Sequence, residues 1–241
     1  MNANTLNITH LPDPDFFSQV KKDFHNYSVE ERIKKLYDFF NPDEILFTSS
    51  FGTNSYYLLY ILGKIQPKQK VYFINTGFHF IETLEYKNQL AELFNLEIVD
   101  LHPEKKDFKK AHENKLWLND PDSCCYFNKI KPLEQVKNNF KIWISGLIKN
   151  QTPHRSDLQL FDLSNGIIKF YPLFDQDISE IQACSEKYNL PKHPLADQNY
   201  ESIGCKHCTE KGSGRNGRWI KFEKTECGLH YDTPKILDQS A

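Results

Sequence analysis

Four short apolar runs, at 45–48, 71–74, 96–99 and 142–144, alternate with segments whose apolar residues recur at helical spacing. No other feature limits the fold as much. Short apolar strands separated by helices need crossover connections, so the expectation is an α/β fold of three layers, a parallel sheet covered on both faces. Ser28-Val29-Glu30-Glu31 has capping-box form ahead of Ile33, Leu36, Tyr37 and Phe40, and Asp177-Ile178-Ser179-Glu180 opens another helix to about 188. Further helices are expected at about 53–62, 80–94, through 115, and 123–136. Segments 158–163 and 167–171 flank Asn165-Gly166 and read as a hairpin. Residues 1–27 are polar and irregular and read as an arm. Residues 28–200 form the α/β domain. In 201–241, cysteines, glycines and basic residues replace regular signals. There is no internal repeat.

The chain has 241 residues and a net charge of −2, so no global basic field marks a nucleic-acid binder. Charge is nonetheless concentrated. Lys206, Lys211, Arg215, Arg218, Lys221 and Lys224 face only Glu210 and Glu223 in the same stretch, which suits a small anion or a solvated loop. The first residues show no secretory pattern, and the longest apolar run, 56–62, is too short for a bilayer. A cytoplasmic address follows as an expectation, with thiols kept reduced and no membrane partner. Six cysteines there point to metal or redox chemistry rather than disulfides.

Their spacing is specific. Cys124-Cys125 and Cys205-x-x-Cys208 stand about eighty positions apart and can close on one four-thiolate centre, either zinc or iron–sulfur. Two redox pairs without metal would share the pattern. Cys184 reads as a small buried apolar residue on the face of Ile178 and Ile181. Cys227, in Glu226-Cys227-Gly228-Leu229-His230, is left over for chemistry; Lys224 and His230 favour its thiolate and Glu226 opposes it.

The loop after the first strand, Ser49-Ser50-Phe51-Gly52-Thr53-Asn54-Ser55, offers hydroxyls, backbone N–H groups and a helix N-terminus to an anion. An ordinary capped strand-to-helix turn explains it equally. Thr76-Gly77 follows the second strand, and Lys149 and Arg155 follow the fourth, where either could clamp phosphate or sulfate oxygens or simply be solvated.

In order along residues 40–231, Ser49-Ser50-Phe51-Gly52, Thr76-Gly77-x-His79-Phe80-x-Glu82-Thr83, Cys124-Cys125-x-x-x-Lys129-x-x-Pro132-Leu133 and Gly146-Leu147 through Arg155 are followed by Tyr171-Pro172-Leu173. Then come Ser202-Ile203-Gly204-Cys205-x-x-Cys208-Thr209, Arg215-Asn216-Gly217-Arg218-Trp219 and the Cys227 motif. The set resembles the assimilatory adenylyl-sulfate and phosphoadenylyl-sulfate reductases, a thiol-dependent branch of the PP-loop nucleotide-binding superfamily. It departs from the usual pattern at Asn54, Asn75, Asn128 and Asn199.

The resemblance implies a PP-loop fold with a flexible C-terminal tail, and a [4Fe-4S] cluster on Cys124, Cys125, Cys205 and Cys208. It further implies nucleophilic attack by Cys227, aided by Lys129, Arg215, Arg218 and His230 as compensating cations. Substrate binding would fall to Ser49, Ser50, Phe51, Gly52, Thr53, Ser55, Thr76, Gly77, Lys149 and Arg155. Adenylyl sulfate is the implied substrate, with phosphoadenylyl sulfate as the alternative. Thioredoxin or glutaredoxin is the implied reductant, in a homo-oligomer serving cysteine biosynthesis. More distant alternatives are an ATP-dependent adenylating or tRNA-thiolating enzyme and a zinc-stabilised nucleotide binder. Glycines 212, 214, 217 and 228 are expected to lend the tail mobility.

Overall fold

The computed structural model describes residues 21–164 and 166–231, and begins with a helical turn at 21–24. The expected arm therefore ends inside the body of the protein. Phe24 is fully buried, edge-on to Phe161 at 5.3 Å and Phe170 at 6.0 Å, because an aromatic ring in an otherwise polar stretch has the most to gain from burial. Helix α1 (Val29–Leu36) starts at the predicted capping box, Ser28 accepting from Glu31 N–H. Its Arg32 is buried and forks onto Asp175 at 2.6 Å through both nitrogens, tying α1 to the far end of the domain.

Among the described residues the sheet has six strands: β1 (Ile45–Thr48), β2 (Val71–Ile74), β3 (Ile98–Leu101), β4 (Ile142–Ile144), β5 (Phe161–Ser164) and β6 (Ile167–Phe170). Their order is β3-β2-β1-β4-β6-β5, all neighbours parallel except the β5–β6 hairpin. Ile45, Leu46 and Phe47 are all buried, as a central strand covered on both faces requires. Phe47 joins the larger core with Phe73, Tyr56 and Leu59, while Leu46 joins Leu101, Leu133, Trp143 and Ile167 on the opposite face. Strand order reverses between β1 and β4, and the crevice outside their carboxyl ends is where α/β sheets bind ligands.

Several elements are displaced from their predicted positions for identifiable reasons. Helix α2 (Ser55–Ile65) begins later than expected, since Phe51 at φ 50° and the residues after it are spent on the loop. Helix α3 (Ile81–Leu93) ends in a Schellman turn: Asn95 takes φ 51°, and Leu96 N–H reaches Ala91 C=O at 2.9 Å. Leu96 thus serves the helix end, and β3 starts two residues downstream of the predicted strand.

Helices α4 (Lys105–Glu113) and α5 (Leu116–Asn119) precede α6 (Pro121–Cys125), a π-type turn (Tyr126–Ile130) and α7 (Lys131–Lys137). The single helix predicted over 123–136 is therefore interrupted by a π segment, a feature that re-aims side chains and recurs at functional sites. Of the predicted hairpin, 158–160 lie outside the strands, Asn165 lies outside the described residues, and Gly166 turns at φ 77°. Helix α8 (Ile178–Lys187) buries Ile181 and Ser185, whereas Cys184 is only half-buried and Ile178 faces solvent, so the buried face runs through Ile181 and Ser185 instead.

Among the described residues after α8 only short 3-10 turns and isolated bridges remain, such as His79 with Cys205 and Thr209 with Arg218. This segment folds back over the carboxyl edge of the sheet. Among the described residues no helix is long and apolar enough to cross a membrane.

Candidate active site

At the crevice lies a cavity of about 890 Å³. Its floor is the loop after β1, where Ser49, Ser50, Gly52, Thr53 and Ser55 all reach the wall. Phe51 does not. Its left-handed backbone turns the ring into the core against Phe73, centroids 5.6 Å apart, so it anchors the loop. Thr53 Oγ1 donates to Glu201 C=O at 2.7 Å, linking the loop to the C-terminal segment.

Thr76 and Gly77 also point elsewhere. Thr76 is buried, its hydroxyl 3.3 Å from Cys205 Sγ and 3.2 Å from the Phe78 N–H it accepts. Gly77 sits at φ 73°, where an added Cβ would lie 2.7 Å from Phe108. Both residues shape the cysteine pocket rather than the cavity. Lys149 stands off the cavity wall, its ammonium 5.7 Å from the centroid of Phe174.

The four paired cysteines meet. Cys124 and Cys125 end α6, and Cys205 and Cys208 bracket a short turn pinned by Lys206 N–H to Phe78 C=O at 2.7 Å. All four are buried and unbridged, and with Phe78, Trp117, Asn128, Lys129 and His207 they enclose a void of about 10 Å³. Burial first, then the nearby Cys205 and Cys208, pushes the Cys124 thiol up to about 12; burial likewise raises Cys125. Burial disfavours four bare thiolates, so without a partner these cysteines stand as neutral thiols. They suit a centre that takes four thiolates at once. Among the described residues no three His, Cys, Asp or Glu side chains close on a single ion. The donor set, four cysteines around one pocket, fits a four-thiolate centre.

Lys129 lies between the two spaces, lining both the cysteine pocket and the cavity. Burial alone would lower its pKa, yet Cys205, Cys125 and Cys227 outweigh burial and raise it. The ammonium therefore stays charged, and among the described residues it has no hydrogen-bond partner. Above it, Arg218 donates to Cys208 C=O at 3.2 Å and Ser202 Oγ at 3.4 Å while lying 4.4 Å over Trp219. Gly204 makes room for it: a Cβ there would meet the guanidinium at 2.2 Å. Arg215 is lowered to about 10 by burial, remains charged at neutral pH, and keeps a buried Nε without a partner.

Cys227 is half-buried on the cavity wall with Lys129, Arg215 and Arg218. The glycines expected to free the tail serve close packing instead at two positions. A Cβ on Gly217 would strike Glu210 C=O at 2.2 Å, and one on Gly212 would strike Gly217 N at 2.8 Å. Gly228, at φ 84°, turns the chain directly after the cysteine. His230 stacks on Trp143, centroids 4.4 Å apart, with Ser145 Oγ at 3.4 Å and its carbonyl held by Lys169 at 3.0 Å. Burial, reinforced by Arg155 and Lys169, holds its pKa well below the ordinary value, so His230 is neutral. It offers hydrogen bonds and not the positive charge expected of it.

Arg155 reaches the wall, but its fork is closed on Glu226: Nε to Oε1 at 2.7 Å and Nη2 to Oε2 at 2.8 Å. Trp143, Ser145 and Glu226 were not readable as site residues. Trp143 passes for one more strand residue, and Glu226 for a charge opposing the thiolate.

Residues 44–211 match the family model described as phosphoadenosine phosphosulfate reductase domain. The chain is 39% identical over 198 residues to the adenosine 5'-phosphosulfate reductase of Bacillus cereus (strain AH187), covering 78% of this chain and 85% of that protein. Against the protein of the same name from Bacillus mycoides (strain KBAB4) the identity is 38% over 198 residues, with the same coverage. Among solved structures, the fold is similar to the phosphoadenylyl-sulfate (PAPS) reductase from Candida auris, with TM-score 0.69 and 24% identity, covering 82% of this chain and 98% of that one. It is also similar to Candida glabrata FMN adenylyltransferase in complex with ATP, with TM-score 0.53 and 15% identity over 88% and 70% of the two chains.

Proposed function

This chain belongs to the phosphoadenosine phosphosulfate reductase family, and on that premise we propose that it reduces adenylyl sulfate to sulfite and AMP through a covalent intermediate on Cys227. One observation carries the reading: of six cysteines, Cys227 alone shares the cavity wall with Lys129, Arg215 and Arg218, while four others line a separate pocket that meets the cavity at Lys129. The curated relatives from Bacillus, named for the same reaction, support the choice of substrate.

The cavity floor receives the nucleotide, with Ser49, Ser50, Thr53, Ser55 and the start of α2 as donors to its phosphate. The sulfonate end lies toward Lys129 and the two arginines. Cys227 thiolate attacks the sulfonyl sulfur, an S–S bond forms, and the S–O bond to phosphate breaks, its electron pair leaving with AMP. A dithiol of the thioredoxin class then attacks Cys227 Sγ. Sulfite departs with the S–S electron pair, and the second thiol resolves the mixed disulfide.

Anion meeting anion is the obstacle: two like charges at ~4 Å repel by roughly 4 kcal/mol at an effective dielectric of 20. Lys129 and Arg218, with the unpartnered Nε of Arg215, offset that repulsion where it arises. Neutral His230 fixes the tail and donates a hydrogen bond. Cys124, Cys125, Cys205 and Cys208 would hold a [4Fe-4S] cluster, which supplies structural support and an electrostatic field beside Lys129. Reduced thiols of this kind suit a cytoplasmic setting.

Steady-state sulfite release with a dithiol donor tests the proposal. Wild-type protein is expected to turn over adenylyl sulfate in preference to its 3'-phosphorylated form, and Cys227→Ser to bind AMP but release no sulfite. Sulfite release by that variant would refute the role of Cys227; a preference for the phosphorylated nucleotide would move the substrate assignment.

A further inference from the structure

Glu226 is a carboxylate on an otherwise irregular tail, yet it is buried and takes four bonds: two from Arg155, one from Thr152 Oγ1 at 3.0 Å and one from Arg215 at 3.2 Å. Burial raises its pKa, but Arg155 and then Arg215 more than compensate, so it is ionised. The neighbouring residue is the nucleophile. Beyond it Gly228 turns the chain, and His230 is held by Trp143 and Lys169. Among the described residues no helix or strand follows Cys208, so no backbone ladder fixes Cys227. Two ion pairs hold the tail ahead of it, Lys224 with Asp122 and Glu226 with Arg155, and only the Glu226 pair is buried on both partners.

We propose that Glu226 is the positioning residue for Cys227: the Arg155–Glu226 pair docks the tail and aims the thiol into the cavity. Arg155 thereby serves as a tail anchor on the cavity wall. The pair also orients Arg215, whose Nη2 is held by Glu226 and by Thr225 C=O at 2.8 Å, leaving its Nε directed elsewhere. Severing the pair lets the tail leave more often, exposing the thiol to reagents while delaying its attack on substrate. The catalytic half of this inference rests on Cys227 being the nucleophile; the docking half does not.

The test uses full-length, iron-replete protein and the variants Glu226→Gln and Arg155→Lys. Cys227 alkylation by iodoacetamide, read by mass spectrometry without nucleotide, should quicken by about tenfold or more in Glu226→Gln, the order expected for breaking a buried ion pair. Sulfonation of Cys227 by adenylyl sulfate without reductant should slow by about the same factor, with AMP affinity within about threefold of wild type. Arg155→Lys keeps the charge and loses the fork, so it should fall between the two even if Glu226→Gln folds poorly. Combining the two substitutions should add little to Glu226→Gln alone. Unchanged alkylation in both variants, or additive effects, would overturn the inference. If wild-type protein acquires no sulfonate, the functional reading fails while the alkylation rates still judge the docking.

Discussion

The four cysteines below Lys129 and the single one above it are held by different kinds of structure. Cys124 and Cys125 end a helix, and Cys205 and Cys208 sit on a turn bridged by backbone to His79 and Phe78, so their spacing is set by main-chain geometry. Cys227 is held by side chains: a carboxylate in an arginine fork and an imidazole on an indole. Backbone ladders make a rigid frame, whereas a few side-chain contacts can be released and remade. The contrast suits the roles proposed, one set of sulfurs that stays in place and one that meets substrate and then reductant.

The rigid side should break first and most visibly. Cys208→Ser removes a thiolate from a buried four-donor set, and the variant is expected to lose most of the roughly four irons per chain that a [4Fe-4S] centre carries. Retention of iron at the wild-type level would detach Cys208 from that centre. Next in size, Lys129→Ala removes the cation shared by the two regions and should cost about two orders of magnitude in kcat, near the loss of one transition-state donor. Lys110→Ala, exposed on α4 with its ammonium over Phe127 and off the cavity wall, provides the control; equal losses from both would take Lys129 out of the chemistry.

The smallest effect separates frame from tail. His193 is buried against Thr83 at 3.0 Å, and burial pushes its pKa down to about 4. Between that value and about 6.5 the unfolded chain binds a proton that the folded chain refuses. Stability is therefore full above pH 6.5 and lost as pH falls, by about 2 kcal/mol at pH 5. Urea midpoints at pH 7.5 and 5 should show this loss shrinking in His193→Asn, and an unchanged difference would assign the acid sensitivity to other groups.

Much of the frame was legible because its signals are local. The capping boxes at Ser28 and Asp177, the strands β1, β2 and β4, and the β5–β6 turn announce themselves within a few residues. The Schellman turn at Asn95 shifted β3 because Leu96 reads as apolar strand whether it serves the strand or the helix end. The cysteine pairs were legible as a set, since thiol spacing survives any fold that joins them. What stayed hidden depends on long-range partners or backbone twist. Arg155 and Glu226 are 71 residues apart, and nothing near either names the other. Phe51, Thr76 and Gly77 sit in ligand-like loops, but backbone conformation turns Phe51 into the core and Thr76 toward Cys205. His230 read as a cation because its burial beside Arg155 and Lys169 belongs to tertiary structure.

The division between holding and reacting sulfurs is tested most directly by incubating iron-loaded protein with adenylyl sulfate in the absence of any thiol, then mapping the product by peptide mass spectrometry. One SO₃ unit on the peptide containing Cys227, removed as sulfite when a dithiol is added, is the predicted result. A sulfonate on any other cysteine, or none under conditions where the same preparation turns over, would contradict it.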